Sequence, residues 1–404
     1  MTAFRSGSAR VLLVTCHLPY PPISGGRRRE YELLRLLHHH CDVRLCCVSK
    51  TIDEDRENAR HLTPYCRDVA VFAAAPSSDA DLPSQVRKHV SPEATAHIAA
   101  VLEKGDVDLV HVEGYYLVHL LPETANVPVV LVEQNIEYVL AHTRAVLADD
   151  LAGSLGRDYM LSREAELAAW RRASVCAALT EEDRRVLAET MPRRTVHLVP
   201  DGVDHSPNLE WAASVERSAR QAASGRILFV GNFAYSPNAD AACFFVERIF
   251  PLICRELPHT ELYLVGNAPP SEVLKLGENP GIVVTGRVAD LTTYYETADV
   301  VVCPLRVGGG IKVKMLEALR LGKAVVSTSI GAQGIGGEAI MVRDEPDEFA
   351  RAVLLLLINP TSRAELGESA RRFSQTLPTW ADAVGALLKA YAAALSLDGG
   401  PALK

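Results

Sequence analysis

The chain has little that would tie it to a membrane, a metal or a nucleic acid. No run of 18 apolar residues occurs in its 404 residues, which argues against a membrane-spanning helix. Met1 to Arg10 is short and polar, with no apolar segment before a cleavage site, so no signal peptide is expected. Positive charge is not in excess: the formal net charge is −8, the wrong sign for a nucleic-acid partner. The nine cysteines have no metal-type spacing. Cys16, Cys46, Cys47, Cys176 and Cys243 sit in or beside apolar runs, as reduced thiols of the cytoplasm do. Missing too are GxSxG, HExxH, a P-loop and GxGxxG, which sets aside the commonest hydrolase, zinc, NTPase and dinucleotide signatures.

What is present is alternation. Apolar strand-like runs are separated by helical patterns along the whole chain, too long for one ordinary core. This predicts an α/β protein of two doubly wound, Rossmann-like domains facing each other across a cleft. The expected boundaries are 1–207 for the first domain, 208–224 for a helical connector and 225–380 for the second. A last helix and tail, 381–404, is expected to pack back on the first domain.

The central stretch runs from Cys303 to Leu319. A buried strand, Val300 to Cys303, leads through Pro304-Leu305-Arg306 into Gly308-Gly309-Gly310. A helix is expected from Ile311 to Leu321, stopped by Gly322. A strand, a glycine loop and a helix start together make an anion site, because backbone amides can approach the ligand closely. Arg306, Lys312 and Lys314 add positive charge. Glu317 offers a carboxylate to a pair of hydroxyls, as a ribose or a sugar presents. The same logic appears earlier: Arg10 to Thr15 is a strand, and Gly25-Gly26 opens a helix bearing Arg27, Arg28 and Arg29. Those arginines are either a solvated face or ligand contacts.

Two further strand ends carry polar groups. Asp108 to Glu113 places His111 and Glu113 on one face, at the end of a strand where α/β folds concentrate chemistry. Glu133 and Asn135 follow the strand Pro128 to Val132, either as hydroxyl-binding groups or with Asn135 as a helix cap. Tyr20, Tyr115, Tyr116 and Tyr138 suit stacking on a sugar or aglycone, or structural packing. In the second half, Ala239 to Phe250 is expected to be helical. Gly231-Asn232 and Gly286-Arg287 close two strands.

Pro304-Leu305-Arg306, Gly310, Lys314, Leu316-Glu317-Ala318 and Gly322 to Thr328 together resemble the donor-binding motif of the retaining glycosyltransferases of family 4. The branch it is most similar to occurs among bacterial exopolysaccharide and natural-product sugar transferases. The resemblance implies the GT-B architecture and transfer, with retention, from a nucleoside-diphosphate sugar, UDP favoured, to a hydroxyl-bearing acceptor. It implies no cofactor and no bound metal. Glu317 would bind the donor ribose. Gly25, Gly26, Gly231, Asn232, Arg287, Gly309, Gly310 and Ile311 would line the donor, Arg306 and Lys314 would stabilise the diphosphate, and His111 or Glu113 would occupy the active position in the first domain. One departure stands out: the family's first motif glutamate falls at Gly309. A nucleotide-sugar epimerase of the same shape and a non-catalytic nucleotide-sugar binder are the alternatives. The acceptor is a saccharide, a lipid-linked sugar or a small natural product. Localisation is cytoplasmic, with peripheral membrane association and a monomer or homodimer left open.

Overall fold

A computed structural model describes residues 9–123, 127–203, 225–310 and 312–397. The chain divides into two compact units, Met1–Gly202 with Pro378–Lys404, and Val203–Leu377. The expected connector lies outside the described residues.

Among the described residues the first unit holds seven parallel strands: β1 (Arg10–Thr15), β2 (Asp42–Ser49), β3 (Asp68–Ala73), β4 (Leu109–Glu113), β5 (Val129–Glu133), β6 (Val175–Ala178) and β7 (Val196–Leu198). Their order is β3-β2-β1-β4-β5-β6-β7, so the winding reverses between β1 and β4. Strand ends flanking such a reversal are where open parallel sheets place ligands. One sheet face packs on the first helix, Gly25–Leu37, and on the last, Trp380–Leu397, through Leu34, Leu37, Val130, Val132, Leu387 and Ala390. The other face buries Leu12, Val110, Val112, Leu131 and Trp170. The strands read as nearly continuous apolar runs because both faces are covered.

The second unit has six strands: β8 (Arg226–Val230), β9 (Glu261–Val265), β10 (Ile282–Gly286), β11 (Val300–Cys303), β12 (Val325–Ser327) and β13 (Met341–Val342). Their order is β10-β9-β8-β11-β12-β13, again all parallel and again reversing beside the first strand. The doubly wound α/β expectation is therefore met in each unit.

Three local expectations change. The helix foreseen over Ala239 to Phe250 begins at Ser236 and continues to Glu256, with a π-turn over Phe245–Ile249. Pro251 lacks an amide hydrogen and its ring crowds the preceding turn; the wider turn accommodates both without ending the helix. The central helix is shorter than expected, Val313–Arg320. Gly310 is at φ +63° and Lys312 is an extended cap residue, so helical dihedrals start late. Asn135 does not cap the helix Glu137–Leu147. The first-turn amides of Glu137 and Tyr138 donate instead to the Glu166 carboxylate at 3.0 and 2.8 Å.

Candidate active site

In the first unit, polar side chains gather where β1, β4 and β5 end. His111 and Glu113 share a face, as period-two alternation requires. His111 Nε2 lies 3.1 Å from Glu113 Oε1, and its Nδ1 is 2.7 Å from the Tyr391 hydroxyl of the last helix. Both are almost fully buried. Burial pushes the Glu113 carboxyl up. The neighbouring imidazole of His111, the charge of Arg29 and the amide of Gln134 more than offset it, holding the group at about 2. Glu113 is thus a fixed anion with partners already in place.

Gln134 bridges outward: its Nε2 donates to Glu113 at 3.0 Å and to Glu30 at 3.3 Å. Glu30, on the first helix, faces His17 Nε2 at 3.1 Å. Burial works against charge on His17, yet the carboxylate of Glu30 and the sulfur of Cys16 hold its pKa well above the usual value. Gly26 sits against this pair. A Cβ there would lie 3.1 Å from His17 Cε1 and 3.2 Å from Gln134 Oε1, so a larger residue would make those side chains give by a few tenths of an ångström. Gly25 is the first residue of that helix, capped by Ser24.

The arginine run is not a solvated face. Arg29 is 1% exposed, and its guanidinium donates to Asp201 Oδ1 at 2.8 Å and to the carbonyls of Pro200 and Val199 at 3.1 and 3.2 Å. Arg27 pairs with buried Asp55 at 3.2 Å. With two of its members so engaged, the run gives no support to membrane attachment. Glu133 is also not poised for a ligand. Its parity sends it to the opposite face from Glu113, where it accepts from Trp170 Nε1 at 2.8 Å and from the Tyr115 amide at 3.2 Å. Tyr115 is a core residue, Tyr20 stacks on His61 and Tyr116 on His89.

The second unit assembles a separate polar group around the glycine loop. Gly266, at φ +152°, passes so close to Gly231 that an added Cβ would sit 1.7 Å from the Gly231 carbonyl oxygen. That contact fixes the loop after β8. Asn238 Nδ2 donates to the Asn232 carbonyl at 2.9 Å, and Asn238 Oδ1 accepts from Lys314 Nζ at 2.7 Å. Lys314 also lies 4.6 Å from the centre of the Phe229 ring. Arg306 grips Asp240 with both arms of its guanidinium and lies over the Phe244 ring. Lys312 is turned inward, donating to Gly310 O and to Gln333 Oε1 at 2.9 Å. Gly309 and Glu317 are half-buried on the loop and on the second turn of its helix, and Arg287 is exposed after β10. Ile311 lies outside the described residues.

Sequence reasoning missed Cys16, His17, Glu30, Gln134, Asp201 and Tyr391 in the first unit, and Asn238 and Asp240 in the second. Their weak signal was position: each follows a strand or lies in the first or second turn of a helix, except Tyr391. Among the described residues no group of three or more His, Cys, Asp or Glu side chains is placed to hold a metal ion, and no helix is long and apolar enough to cross a membrane.

Residues 224–359 match the family described as glycosyl transferases group 1. A curated relative, an uncharacterized 44.6 kDa protein in the cps region of Klebsiella pneumoniae, is 29% identical over 160 residues, 37% of this chain and 41% of the relative. The match thus spans about two fifths of that protein. Among solved structures, sucrose-phosphate synthase from Thermosynechococcus elongatus superposes with a TM-score of 0.68 at 17% identity, covering 95% of this chain and 98% of that one. Anabaena Alr3699/HepE in complex with UDP gives 0.63 at 13% identity, over 95% and 99%. TarM gives 0.65 at 10% identity, over 97% and 100%. At these identities the likeness is one of fold.

Proposed function

From the match of residues 224–359 to the glycosyl transferases group 1 family and the GT-B-like fold, we propose that the chain is a glycosyltransferase. It moves a sugar, with retention, from a nucleoside-diphosphate sugar, UDP favoured, to a hydroxyl of a saccharide, lipid-linked or small-molecule acceptor. The observation that carries this reading is the glycine loop running into Val313–Arg320, inside the family match, with Lys314 and Glu317 one turn apart.

In this reading Glu317 accepts the two ribose hydroxyls, and backbone amides of Gly309 and Gly310 meet the diphosphate. Lys314 is the better candidate for phosphate charge. Its partner is a neutral amide, whereas the charge of Arg306 is already matched by Asp240. Arg306 then acts by holding Asp240 and the helix that carries Asn238. Gly231 and Asn232 lie beside Asn238, the partner of Lys314, and Arg287 follows β10 on the same sheet. As the anomeric bond breaks, negative charge grows on the leaving phosphate, and preorganised amides and Lys314 stabilise it more than they stabilise the bound donor. The acceptor hydroxyl attacks on the face the phosphate leaves, and the phosphate oxygen takes its proton. In the first unit, Gly25-Gly26 gives backbone access to the diphosphate. The fixed negative charge of Glu113, buttressed by His111, favours the oxocarbenium-like sugar. That the fold is shared with HepE in complex with UDP supports the choice of nucleotide.

Calorimetric titration of UDP, GDP and dTDP sugars into the wild type and Glu317→Ala tests this. One nucleotide series should bind the wild type, with affinity at least about tenfold lower once a charge-assisted hydrogen-bond acceptor is lost. Sugar transfer or donor hydrolysis should follow. Binding unaffected by Glu317→Ala, or absent for every nucleotide sugar, would refute the assignment.

A further inference from the structure

A second arrangement of reactive groups lies beside the glycine turn of the first unit and takes no part in the transfer described above. Cys16 follows β1. Its Sγ is 3.2 Å from His17 Nδ1 and 3.6 Å from the Tyr116 hydroxyl. The far nitrogen of His17 is 3.1 Å from Glu30. Sulfur, imidazole and carboxylate therefore stand in line, the order in which a thiol is ionised by a base that a third group orients. A second imidazole faces the sulfur: His89 is 2% exposed, is stacked on Tyr116, and has a buried Nε2 with no hydrogen-bond partner. Cys16 is nevertheless half-exposed, unlike Cys41, Cys46, Cys47, Cys66, Cys176 and Cys303, which are buried.

We propose that Cys16 is a reactive thiolate held by His17, a site of covalent modification by soft electrophiles, and that a group added to its sulfur disables the adjacent Gly25-Gly26 turn. The groups around the sulfur divide by sign. His17, His89 and Lys50 favour the thiolate, and the neutral Tyr116 hydroxyl can donate to it, while the carboxylates of Glu30 and Glu137 act against an anion there. Burial also raises the thiol, but the charge and hydrogen bond of His17, with the nearby imidazole of His89, outweigh it, and the balance lies well below an ordinary thiol. Cys243 and Cys254, also half-exposed, are raised by burial, and no imidazole beside either sulfur offsets it. In the modification the sulfur displaces the leaving group at an electrophilic carbon: a C–S bond forms, the C–halogen bond breaks, and halide departs with its electron pair. The consequence for the turn rests on the proposed function. The His17 imidazole sits beside Gly26, within 3.1 Å of where a Cβ there would lie, so a substituent on the neighbouring sulfur that displaces the imidazole intrudes where the diphosphate is to lie.

The test uses the full chain and iodoacetamide, with peptide mapping of all nine cysteines between pH 5.5 and 8.5. At pH 6 an ordinary thiol is only about 0.3% thiolate. Even with the lower intrinsic nucleophilicity of a low-pKa sulfur, Cys16 should react about tenfold faster than Cys243 or Cys254. His17→Gln should bring it to their rate, and Cys16→Ser should remove the early adduct. Labelling of Cys243 or Cys254 before Cys16, or a Cys16 rate that rises only above pH 8, would overturn the thiolate. UDP affinity should fall at least about fivefold on labelling the wild type. Cys16→Ser treated in the same way should keep its own affinity. Equal UDP affinity before and after complete labelling of Cys16 would overturn the effect on the turn. An unlabelled chain that binds no UDP would instead sink the donor reading, and the order of labelling would still decide the thiol.

Discussion

Replacing Arg29 by alanine should unfold the first unit more readily than any change to an exposed arginine. Arg29 and Asp201 are 172 residues apart in sequence and both buried, and the guanidinium also serves two carbonyls at the end of β7. The pair is not credited with its Coulomb energy, because desolvating two ions offsets most of it. The cost comes from what the substitution leaves behind: an unpaired buried carboxylate and two carbonyls without donors. Breaking a buried pair in this way costs about 3–5 kcal/mol, and for a unit of this size roughly 2–4 °C of Tm accompanies each kcal/mol, so a drop of about 6–20 °C is expected. The sign of its pH dependence follows. Burial raises the Asp201 carboxyl, and Arg29 is the principal group pulling it back. Without Arg29 the folded-state pKa rises further above the unfolded value. Protonation then relieves the deficit at acid pH, and the deficit grows as pH rises through the folded pKa. Urea unfolding followed by circular dichroism and by the fluorescence of buried Trp170 and Trp380 measures this directly. Arg29→Met with Asp201→Leu should recover most of the loss, since an apolar pair leaves no orphan charge. A single variant within about 1 kcal/mol of wild type, or a deficit flat from pH 5 to 8, would refute the reasoning.

Two more predictions concern stability. Gly266→Ala places a methyl 1.7 Å from the Gly231 carbonyl, at a φ that L side chains rarely adopt, so the second unit should lose its soluble, folded form; wild-type circular dichroism and yield would contradict the contact. Burial pushes Glu133 up to about 8, aided by the charges of Glu137 and Glu113 and opposed by its bonds from Trp170 and Tyr115. A raised carboxyl gives stability that is present below its unfolded value, near 4.5, and lost as pH rises through about 8. Glu133→Gln should therefore gain on the wild type steadily across that window in urea midpoints, and a constant difference would show that Glu133 does not titrate there.

Much of the fold was legible because parallel strands covered on both faces must be apolar throughout, and such runs as Val300 to Cys303 cannot be confused with surface. The pairing of His111 with Glu113 was legible for the same geometric reason: residues two apart in a strand share a face. What could not be read was any contact set by where a loop returns. Cys16-His17 meets Glu30 only after an intervening loop folds back on the first helix, and Arg29 meets Asp201 only once β7 has joined the sheet. The arginine run reads as a solvated face or as ligand contacts because nothing local announces a distant aspartate. Glu133 reads as a site residue because it ends a strand; Trp170, on the helix Ser154–Arg172 packed against that face, is what claims it.

The last helix has a consequence for how the chain is made. Its Leu387, Ala390 and Tyr391 complete a sheet face whose strands lie within the first 202 residues, and Tyr391 supplies the hydroxyl that meets His111. A nascent chain leaving the ribosome exposes that face until Trp380–Leu397 has been synthesised, by which point the second unit is already out. The same arrangement brings Gly202 against the backbone of Thr379 and Trp380, where an added Cβ would lie 2.4 Å from the Trp380 nitrogen. The two points at which the chain leaves and re-enters the first unit are thus neighbours. Evolution can treat the 175-residue insert between them as a cassette, exchanged between two adjacent cut points without disturbing the sheet it interrupts.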